Sequence, residues 1–210
     1  MTRIKVCGIT NLEDALAAVE AGAGMLGFNF YARSQRCVSA SEARRIIERL
    51  PEGVECVGVF VNEAAPEEVE RIASEAGVGA VQLHGDETHD FCRALRGQTT
   101  IKALRVGPDF TPEAAAAYPT DAVLLDAYVA GEWGGTGHTF DWALARRTRE
   151  AVPRLFLAGG LKPENVAEAV AVVRPHAVDV CSGVETAPGR KSLEQMRRFV
   201  EQVKEVDSSQ

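Results

Sequence analysis

The sequence lacks any long uninterrupted run of apolar residues. A membrane-spanning helix needs roughly 20 such residues, and no apolar segment in these 210 residues approaches that length. The opening residues, from Met1 to Gly8, also lack the apolar core of a secretory signal. We therefore expect a soluble, cytoplasmic protein that has no membrane partner.

Positive charge is also scarce. The chain carries 23 Lys and Arg against 30 Asp and Glu, which gives a net charge of −7 and a pI of about 5.2. Nucleic-acid binding depends largely on neutralising phosphates with Lys and Arg, so we expect no nucleic-acid partner. A small phosphorylated ligand remains compatible with this charge, because backbone N–H groups can bind a single phosphate.

Motifs for disulfide frameworks, metal sites and nucleotide cofactors are missing from the sequence. The five cysteines are odd in number and contain no C-x-x-C pair, which favours reduced thiols. The four histidines show no H-E-x-x-H spacing, and no G-x-G-x-x-G follows the first apolar segment. We therefore expect neither a metal nor a cofactor.

What the sequence does contain is a regular alternation of eight short apolar segments with segments of helical periodicity. The apolar segments are rich in Val, Ile, Leu and Phe, which indicates strands buried on both faces of a parallel sheet. They cover residues 4–7, 25–30, 54–61, 80–83, 100–106, 122–126, 154–158 and 177–181.

Several of the intervening segments begin with helix-capping signals. Ser or Thr followed three residues later by Glu or Gln predicts a capping box at Thr10, Ser39 and Ser192. Pro112 and Pro163 are predicted to occupy the first helical position. Two less regular segments, 88–96 and 111–117, are also predicted as helices.

Eight strand–helix units predict an α/β fold, a (β/α)8 TIM barrel that forms a single domain over residues 1–210. A doubly wound open sheet is the main alternative, because it produces the same alternation. The count of eight strands and the missing glycine motif favour the closed barrel.

Catalytic groups in such barrels lie where strands run into the loops that follow them. The polar or glycine positions at the ends of the predicted strands or in the loops that follow them are Cys7, Asn29, Arg36, Gln82, His84, Arg105, Asp126, Gly159, Gly160, Ser182 and Gly183.

Two glycine-containing loops follow the last two predicted strands, with Gly159 and Gly160 in one and Ser182 and Gly183 in the other. Loops at these two positions form a recurrent phosphate site in TIM barrels, and glycine lets backbone N–H groups approach a phosphate closely. The alternative is that these glycines only permit tight turns. The presence of two such loops favours phosphate binding.

Cys7 and Asp126 form a candidate pair of base and acid at well-separated strand ends. Sugar isomerisation needs an acid for the ring oxygen and a base for an adjacent C–H. A thiolate stabilised by nearby cations can act as the base, and a carboxyl group in a dry pocket can act as the acid. Taken alone, Cys7 is better explained as an inert buried thiol, because free cysteine is commonly buried.

Arg36 and His84 are the remaining candidates for ligand contact. The planar guanidinium group of Arg36 suits a carboxylate, although a solvated loop charge is an equally good interpretation. His84 either lines the site or satisfies backbone groups at its strand end.

Segments spread in order over almost the whole chain resemble the phosphoribosylanthranilate isomerase family of tryptophan biosynthesis. The matching segments lie within residues 5–10, 27–36, 82–85, 125–142, 157–166 and 178–191. Three positions depart from the family pattern: Gln35, where proline or lysine is common, Cys37, where tyrosine is frequent, and Cys181, where serine is frequent. These departures concern the edge of the substrate site and not the reaction.

The resemblance implies a TIM barrel that converts N-(5-phosphoribosyl)anthranilate to 1-(2-carboxyphenylamino)-1-deoxyribulose 5-phosphate by an Amadori rearrangement. By resemblance, Asp126 is the general acid, Cys7 is the general base, and Arg36 holds the anthranilate carboxylate. The same resemblance assigns phosphate to the Gly159-Gly160 and Ser182-Gly183 loops, with help from a glycine-rich loop at 134–137. By the same resemblance, His84 is expected to line the site.

Two other functions are compatible with part of this pattern. Another sugar-phosphate isomerase or epimerase would share the phosphate loops, but a two-aspartate isomerase would carry aspartate in place of Cys7. A barrel that only binds ligands would not require Cys7, Asp126 and Arg36 together. The sequence leaves open whether the protein is a monomer or a homodimer.

Overall fold

A computed structural model describes residues 1–127 and 141–209, and its centre is a closed barrel of eight parallel strands. The strands pair in chain order, and the last pairs with the first to close the barrel. They are β1 (Arg3–Cys7), β2 (Met25–Asn29), β3 (Glu55–Phe60), β4 (Ala80–Leu83), β5 (Thr99–Val106), β6 (Ala122–Ala127), β7 (Leu155–Leu157) and β8 (Ala177–Val180). The predicted TIM barrel is confirmed, and each strand lies within one residue of its predicted ends.

Helices connect the strands and surround the barrel. They are α1 (Leu12–Ala21), α2 (Ala40–Ile47), α3 (Pro66–Ala76), α4 (His89–Ala94), α5 (Pro112–Ala116), α6 (Trp142–Ala151), α7 (Val166–Val173) and α8 (Leu193–Ser208). After β8 come a 3-10 turn (Ser182–Val184) and a small antiparallel pair, β9 (Glu185–Ala187) and β10 (Arg190–Lys191). No helix in the described ranges is long and apolar enough to cross a membrane.

Two of the predicted helix starts are correct in detail. Ser39 and Glu42 form the complete capping box at the start of α2, with each side chain bonded to the other residue's backbone N–H. Pro112 is the first residue of α5. Ser192 caps α8 by accepting from the N–H of Gln195, but that glutamine accepts a hydrogen bond from Arg198, so the box is not completed.

The two other predicted helix starts are wrong. Asn11 is the N-cap of α1, because its side chain accepts from the N–H of Asp14 at 2.8 Å, whereas Thr10 donates to the carbonyl oxygen of Gly189. Pro163 lies in a turn before α7, which begins only at Val166. The side chain of Asn165 stabilises that turn by contacting backbone atoms of Lys162 and Gly160.

The barrel interior changes from apolar to polar along the strands. Its apolar part is formed by inward-facing residues of several strands, including Met25, Val57, Ile101, Leu124 and Phe156. Side chains alternate between the two faces of a strand, so successive inward positions on β1 are Lys5 and Cys7, and the inward position nearer the carboxyl end of β8 is Asp179. Charged and reactive groups therefore face the barrel axis toward the carboxyl ends of the strands.

Candidate active site

A cavity of about 620 Å³ opens at the carboxyl ends of the strands. The structure brings together nine of the eleven positions singled out from the sequence, which line this cavity: Cys7, Asn29, Arg36, Gln82, His84, Asp126, Gly159, Gly160 and Ser182. The other two, Arg105 and Gly183, are not among its lining residues. Arg105 instead donates to Asp86 outside the cavity.

Asp126 is the buried penultimate residue of β6, and its carboxylate lies near the imidazole of His84. The distance from His84 Nε2 to Asp126 Oδ2 is 3.3 Å, without hydrogen-bond alignment. On the other side of the ring, the amide Nε2 of Gln82 lies 2.8 Å from His84 Nδ1. Because an amide nitrogen only donates, Nδ1 is the acceptor in this contact, and Nε2 is the ring nitrogen that faces Asp126.

Cys7 ends β1 and lies beside Cys181, which follows the neighbouring strand β8. A hydrogen bond from the Cys181 thiol lowers the pKa of Cys7 well below its ordinary value, and the charges of Lys5 and Lys191 act in the same direction against the effect of burial. The pKa of Cys181 is raised by the same hydrogen bond and by burial. Of the two sulfurs, Cys7 is therefore the one that loses its proton more readily.

A buried ion pair lies one inward position below Cys7. Lys5 Nζ is 3.0 Å from Asp179 Oδ1, and the lysine is fully buried. Burial lowers the pKa of Lys5, but the charges of Asp179 and Cys7 outweigh it and raise the pKa overall. Burial raises the pKa of Asp179 to about 6, and only part of this effect is offset by Lys5.

Arg36 reaches the cavity from the loop after β2 and is held by Glu185 at the start of β9. Arg36 Nε lies 2.9 and 3.1 Å from the two carboxylate oxygens, and Nη2 lies 2.6 Å from Oε2. Lys191 adds a second cation, with its Nζ 2.8 Å from Glu185 Oε1. Burial raises the pKa of Glu185, but its bonds to Arg36 and Lys191 outweigh burial and hold the pKa below its ordinary value.

The loop after β7 presents Gly159 and Gly160 to the cavity with positive φ angles of 83° and 64°. Glycine adopts these angles without strain. Neither backbone N–H makes a hydrogen bond to another described residue, so both can serve an external acceptor.

The loop after β8 packs directly against the loop after β7. Ser182 lines the cavity, whereas Gly183 lies behind it, where a Cβ would overlap the carbonyl oxygen of Leu161. Gly183 therefore allows the two loops to approach each other and has no direct place in the cavity wall.

The predicted glycine-rich loop at 134–137 lies outside the described residues. Arg33, in the loop after β2, is exposed and lies at the rim of the cavity. Within residues 1–127 and 141–209, no group of three or more His, Cys, Asp or Glu side chains is placed to hold a metal ion.

Sequence reasoning assigned no role to four charged residues of the site: Lys5, Asp179, Glu185 and Lys191. Two of them carried a usable signal. Lys5 and Asp179 stand inside strands that are otherwise apolar, and a charge in a strand buried on both faces needs a buried partner. Glu185 and Lys191 lie in polar sequence and gave no such signal.

The sequence matches the family model for N-(5′-phosphoribosyl)anthranilate (PRA) isomerase over residues 4–202. It is 51% identical over 205 residues to N-(5′-phosphoribosyl)anthranilate isomerase of Trichlorobacter lovleyi, which covers 98% of this chain and 99% of that protein.

Two solved structures extend the likeness to three dimensions. A monomeric form generated from the dimeric phosphoribosylanthranilate isomerase of Thermotoga maritima has a TM-score of 0.87 at 46% identity, covering 98% of this chain and 100% of that one. A phosphoribosyl anthranilate isomerase in complex with reduced 1-(o-carboxyphenylamino)-1-deoxyribulose 5-phosphate has a TM-score of 0.88 at 45% identity, with the same coverage.

Proposed function

The chain belongs to the N-(5′-phosphoribosyl)anthranilate isomerase family, and from that premise we propose that Asp126 and Cys7 are the acid and base of its Amadori rearrangement. The substrate is N-(5-phosphoribosyl)anthranilate, and the reaction is the third step of tryptophan synthesis from chorismate. One observation carries the residue assignment: a single cavity is lined by Cys7, Asp126 and Arg36 together with the loop of Gly159 and Gly160.

The two anionic ends of the substrate are bound by different parts of the cavity. The N–H groups of Gly159 and Gly160, with Ser182 beside them, bind the phosphate. Arg36 binds the anthranilate carboxylate. Glu185 occupies its Nε–Nη2 edge, and the guanidinium group retains further N–H donors at its Nη1 end.

Asp126 acts first, as the general acid. It donates a proton to the ribose ring oxygen, the bond from that oxygen to C1 breaks, and the anthranilate nitrogen supplies the electron pair that forms the protonated Schiff base. His84 Nε2, at 3.3 Å from Asp126 Oδ2, supports the carboxylate that remains after the proton has left. General acid–base groups of this kind contribute about 10²–10⁴-fold to rate.

Cys7 acts second, as the general base. Its thiolate removes the proton from the sugar C2, and the electrons of that bond move to neutralise the Schiff base and form the enolamine. Tautomerisation of the enolamine gives the ketone product. On the barrel wall β7 and β8 lie between the strands of Asp126 and Cys7, so the two groups can face different sides of one bound sugar.

The proposal also includes the localisation, domain organisation, partners and assembly state of the protein. We propose a cytoplasmic protein, with residues 1–210 forming one domain, that needs no cofactor, binds neither nucleic acid nor membrane, and works as a monomer or a homodimer. The acidic net charge of −7 supports a small-molecule substrate over nucleic acid. The Thermotoga maritima relative, described both as a dimer and as generated monomers, supports either assembly state.

The test is the decay of anthranilate-type fluorescence when purified protein meets N-(5-phosphoribosyl)anthranilate generated in situ. Wild-type protein should remove the signal rapidly, whereas Asp126→Asn and Cys7→Ala should reduce kcat by about 10²–10⁴-fold. Near-normal turnover by Cys7→Ala would show that another group is the base. No decay above the spontaneous background, in protein shown to be folded, would reject the substrate.

A further inference from the structure

Lys5 is one of the largest fully buried side chains in the described part of the chain, and the mechanism above leaves it without a role. Its Nζ contacts Asp179 Oδ1 at 3.0 Å. An ammonium group has three N–H donors, so this contact leaves donors for other groups. A charge buried this deeply is costly and is commonly retained where it serves a site.

The surroundings of Gly27 indicate in which direction the other N–H groups of the Lys5 ammonium point. Gly27 on β2 is the register partner of Cys7 on β1. A Cβ on Gly27 would lie 2.7 Å from Cys7 Sγ and 3.1 Å from Lys5 Nζ. The sulfur and the ammonium group therefore border the same small space above the glycine, which is free because Gly27 has no side chain.

We propose that Lys5 is a positioning residue of the reaction, whose buried ammonium group, held by Asp179, keeps the Cys7 sulfur anionic and fixed above Gly27. This inference rests on the proposed function, in which Cys7 is the base. Lys5 itself lies beneath the sulfur and does not touch the substrate. A thiolate that is already formed can accept the C2 proton without first losing one of its own.

Several other groups face this part of the cavity, and their contacts distinguish them from Lys5. They are Asp179 and Cys181 of the β8 segment, Lys191 of β10, Arg36 of the loop after β2, and Asp126 of β6. Arg36 and Lys191 are both paired with Glu185, and Lys191 Nζ contacts Cys181 at 3.7 Å. Of Lys5, Arg36 and Lys191, Lys5 is the one that lies on the same strand as Cys7.

The pKa of Cys7 supports this arrangement. Its lowering comes first from the hydrogen bond of Cys181, and then, against burial, from the charge of Lys5 ahead of that of Lys191. The hydrogen bond between the two sulfurs raises the pKa of Cys181 as it lowers the pKa of Cys7, and the fixed charge of Lys5 next to Cys7 favours the same sulfur as the one that loses its proton.

The experiment measures the alkylation rate of Cys7 by iodoacetamide as a function of pH, followed on the Cys7 peptide by mass spectrometry, in the full-length protein. Lys5→Gln and Lys5→Met should raise the midpoint of this titration by about one pH unit or more, and Lys5→Arg should keep it low. In Lys5→Gln and Lys5→Met, the acidic limb of the pH profile of kcat/KM should shift upward by the same amount as the alkylation midpoint, while KM stays constant. Activity should therefore recover at alkaline pH.

Asp179→Asn should shift the midpoint of Cys7 alkylation in the opposite direction. It removes the counter-charge and keeps the size of the side chain, so the midpoint of Cys7 alkylation should fall. This variant also carries the test if none of the Lys5 variants folds. A loss of structure alone would not produce opposite shifts in the two sets of variants.

Lys102→Met is the matched control, because Lys102 is equally buried, is paired with Glu87, and contacts the β4 loop away from Cys7. It should leave the Cys7 midpoint unchanged. An unchanged midpoint in Lys5→Gln, or an unchanged or raised one in Asp179→Asn, would overturn the inference. If the wild-type kcat/KM limb does not follow Cys7 alkylation, the assignment of Cys7 as the base fails, and the role of Lys5 in the reaction fails with it.

Discussion

The guanidinium group of Arg36 meets the carboxylate of Glu185 along its Nε–Nη2 edge, with Nε–Oε1 at 2.9 Å and Nη2–Oε2 at 2.6 Å. The two residues are 149 positions apart in the chain. A bidentate contact of this kind fixes the plane of the guanidinium group as well as its position. Glu185 therefore orients the residue that we propose as the ligand of the anthranilate carboxylate.

Glu185→Gln should raise KM about tenfold and change kcat little, because it loosens the binding group without touching the acid or the base. A hydrogen bond to a charged group contributes about 1.5–3 kcal/mol, and only part of this would be lost with the amide. Steady-state kinetics would measure both constants. Glu164→Gln, which breaks an exposed pair with Arg198, is the control and should leave KM unchanged. A drop in kcat at constant KM would contradict the role.

Glu185 should also make folding stability depend on pH in acid. Its folded-state pKa lies below the ordinary value of 4.5, so its ionised form is favoured by the fold. The stabilisation is fully present above pH 4.5 and is lost as the pH falls through the folded-state pKa. The difference in unfolding free energy between wild type and Glu185→Gln, measured by urea denaturation, should be constant above about pH 5.5 and should shrink in more acidic solution. A difference in unfolding free energy that grows in more acidic solution would contradict this prediction, because the fold would then favour the protonated form of Glu185.

Gly183→Ala should weaken phosphate binding without removing a phosphate ligand. The added methyl group would overlap the carbonyl oxygen of Leu161, which would push the loop after β7 away from the loop after β8. We expect KM to rise at least about tenfold and inhibition by inorganic phosphate to weaken in parallel. Gly24→Ala, whose Cβ would meet no atom within 4 Å, is the control. Normal inhibition by phosphate in Gly183→Ala would show that the loop contact does not shape the phosphate site.

Lys102→Met should destabilise the fold by about 3–5 kcal/mol, because it leaves Glu87 buried without its cation. Lys102 Nζ donates to Glu87 Oε2 and to the carbonyl oxygens of Leu83 and Gly85, at 2.7, 3.2 and 2.7 Å respectively. Urea denaturation would measure the loss.

The control for this prediction is Arg71→Met, which removes exposed ion pairs with Glu68 and Glu75 and should leave the free energy of unfolding nearly unchanged. Equal effects of the two substitutions would mean that burial adds nothing to the pair formed by Lys102.

Local patterns in the sequence determined most of the fold. Strands buried on both faces and amphipathic helices differ in period, and this difference placed every barrel strand within one residue of its observed ends. Helix starts were harder to predict from the sequence. Asn11 and Thr10 are both residue types that favour the N-cap position, and Asn11 takes that position because the Thr10 hydroxyl donates to the carbonyl oxygen of Gly189 instead. Strand ends pointed to Cys7, Asp126 and Arg36, because in this architecture they all reach one rim.

Only the tertiary structure determines which charged side chains lie next to each other. Closing the barrel brings β1 against β8, and this pairs Lys5 with Asp179 across 174 positions of the chain. The same closure sets Cys181 beside Cys7 and leads the chain on to Glu185, opposite Arg36. Periodicity reports which face of a strand a residue occupies, but not which residue of a distant strand stands next to it. The candidate base, acid and carboxylate ligand could therefore be named from the sequence, whereas the groups that charge and orient them depend on contacts that exist only once the barrel has closed.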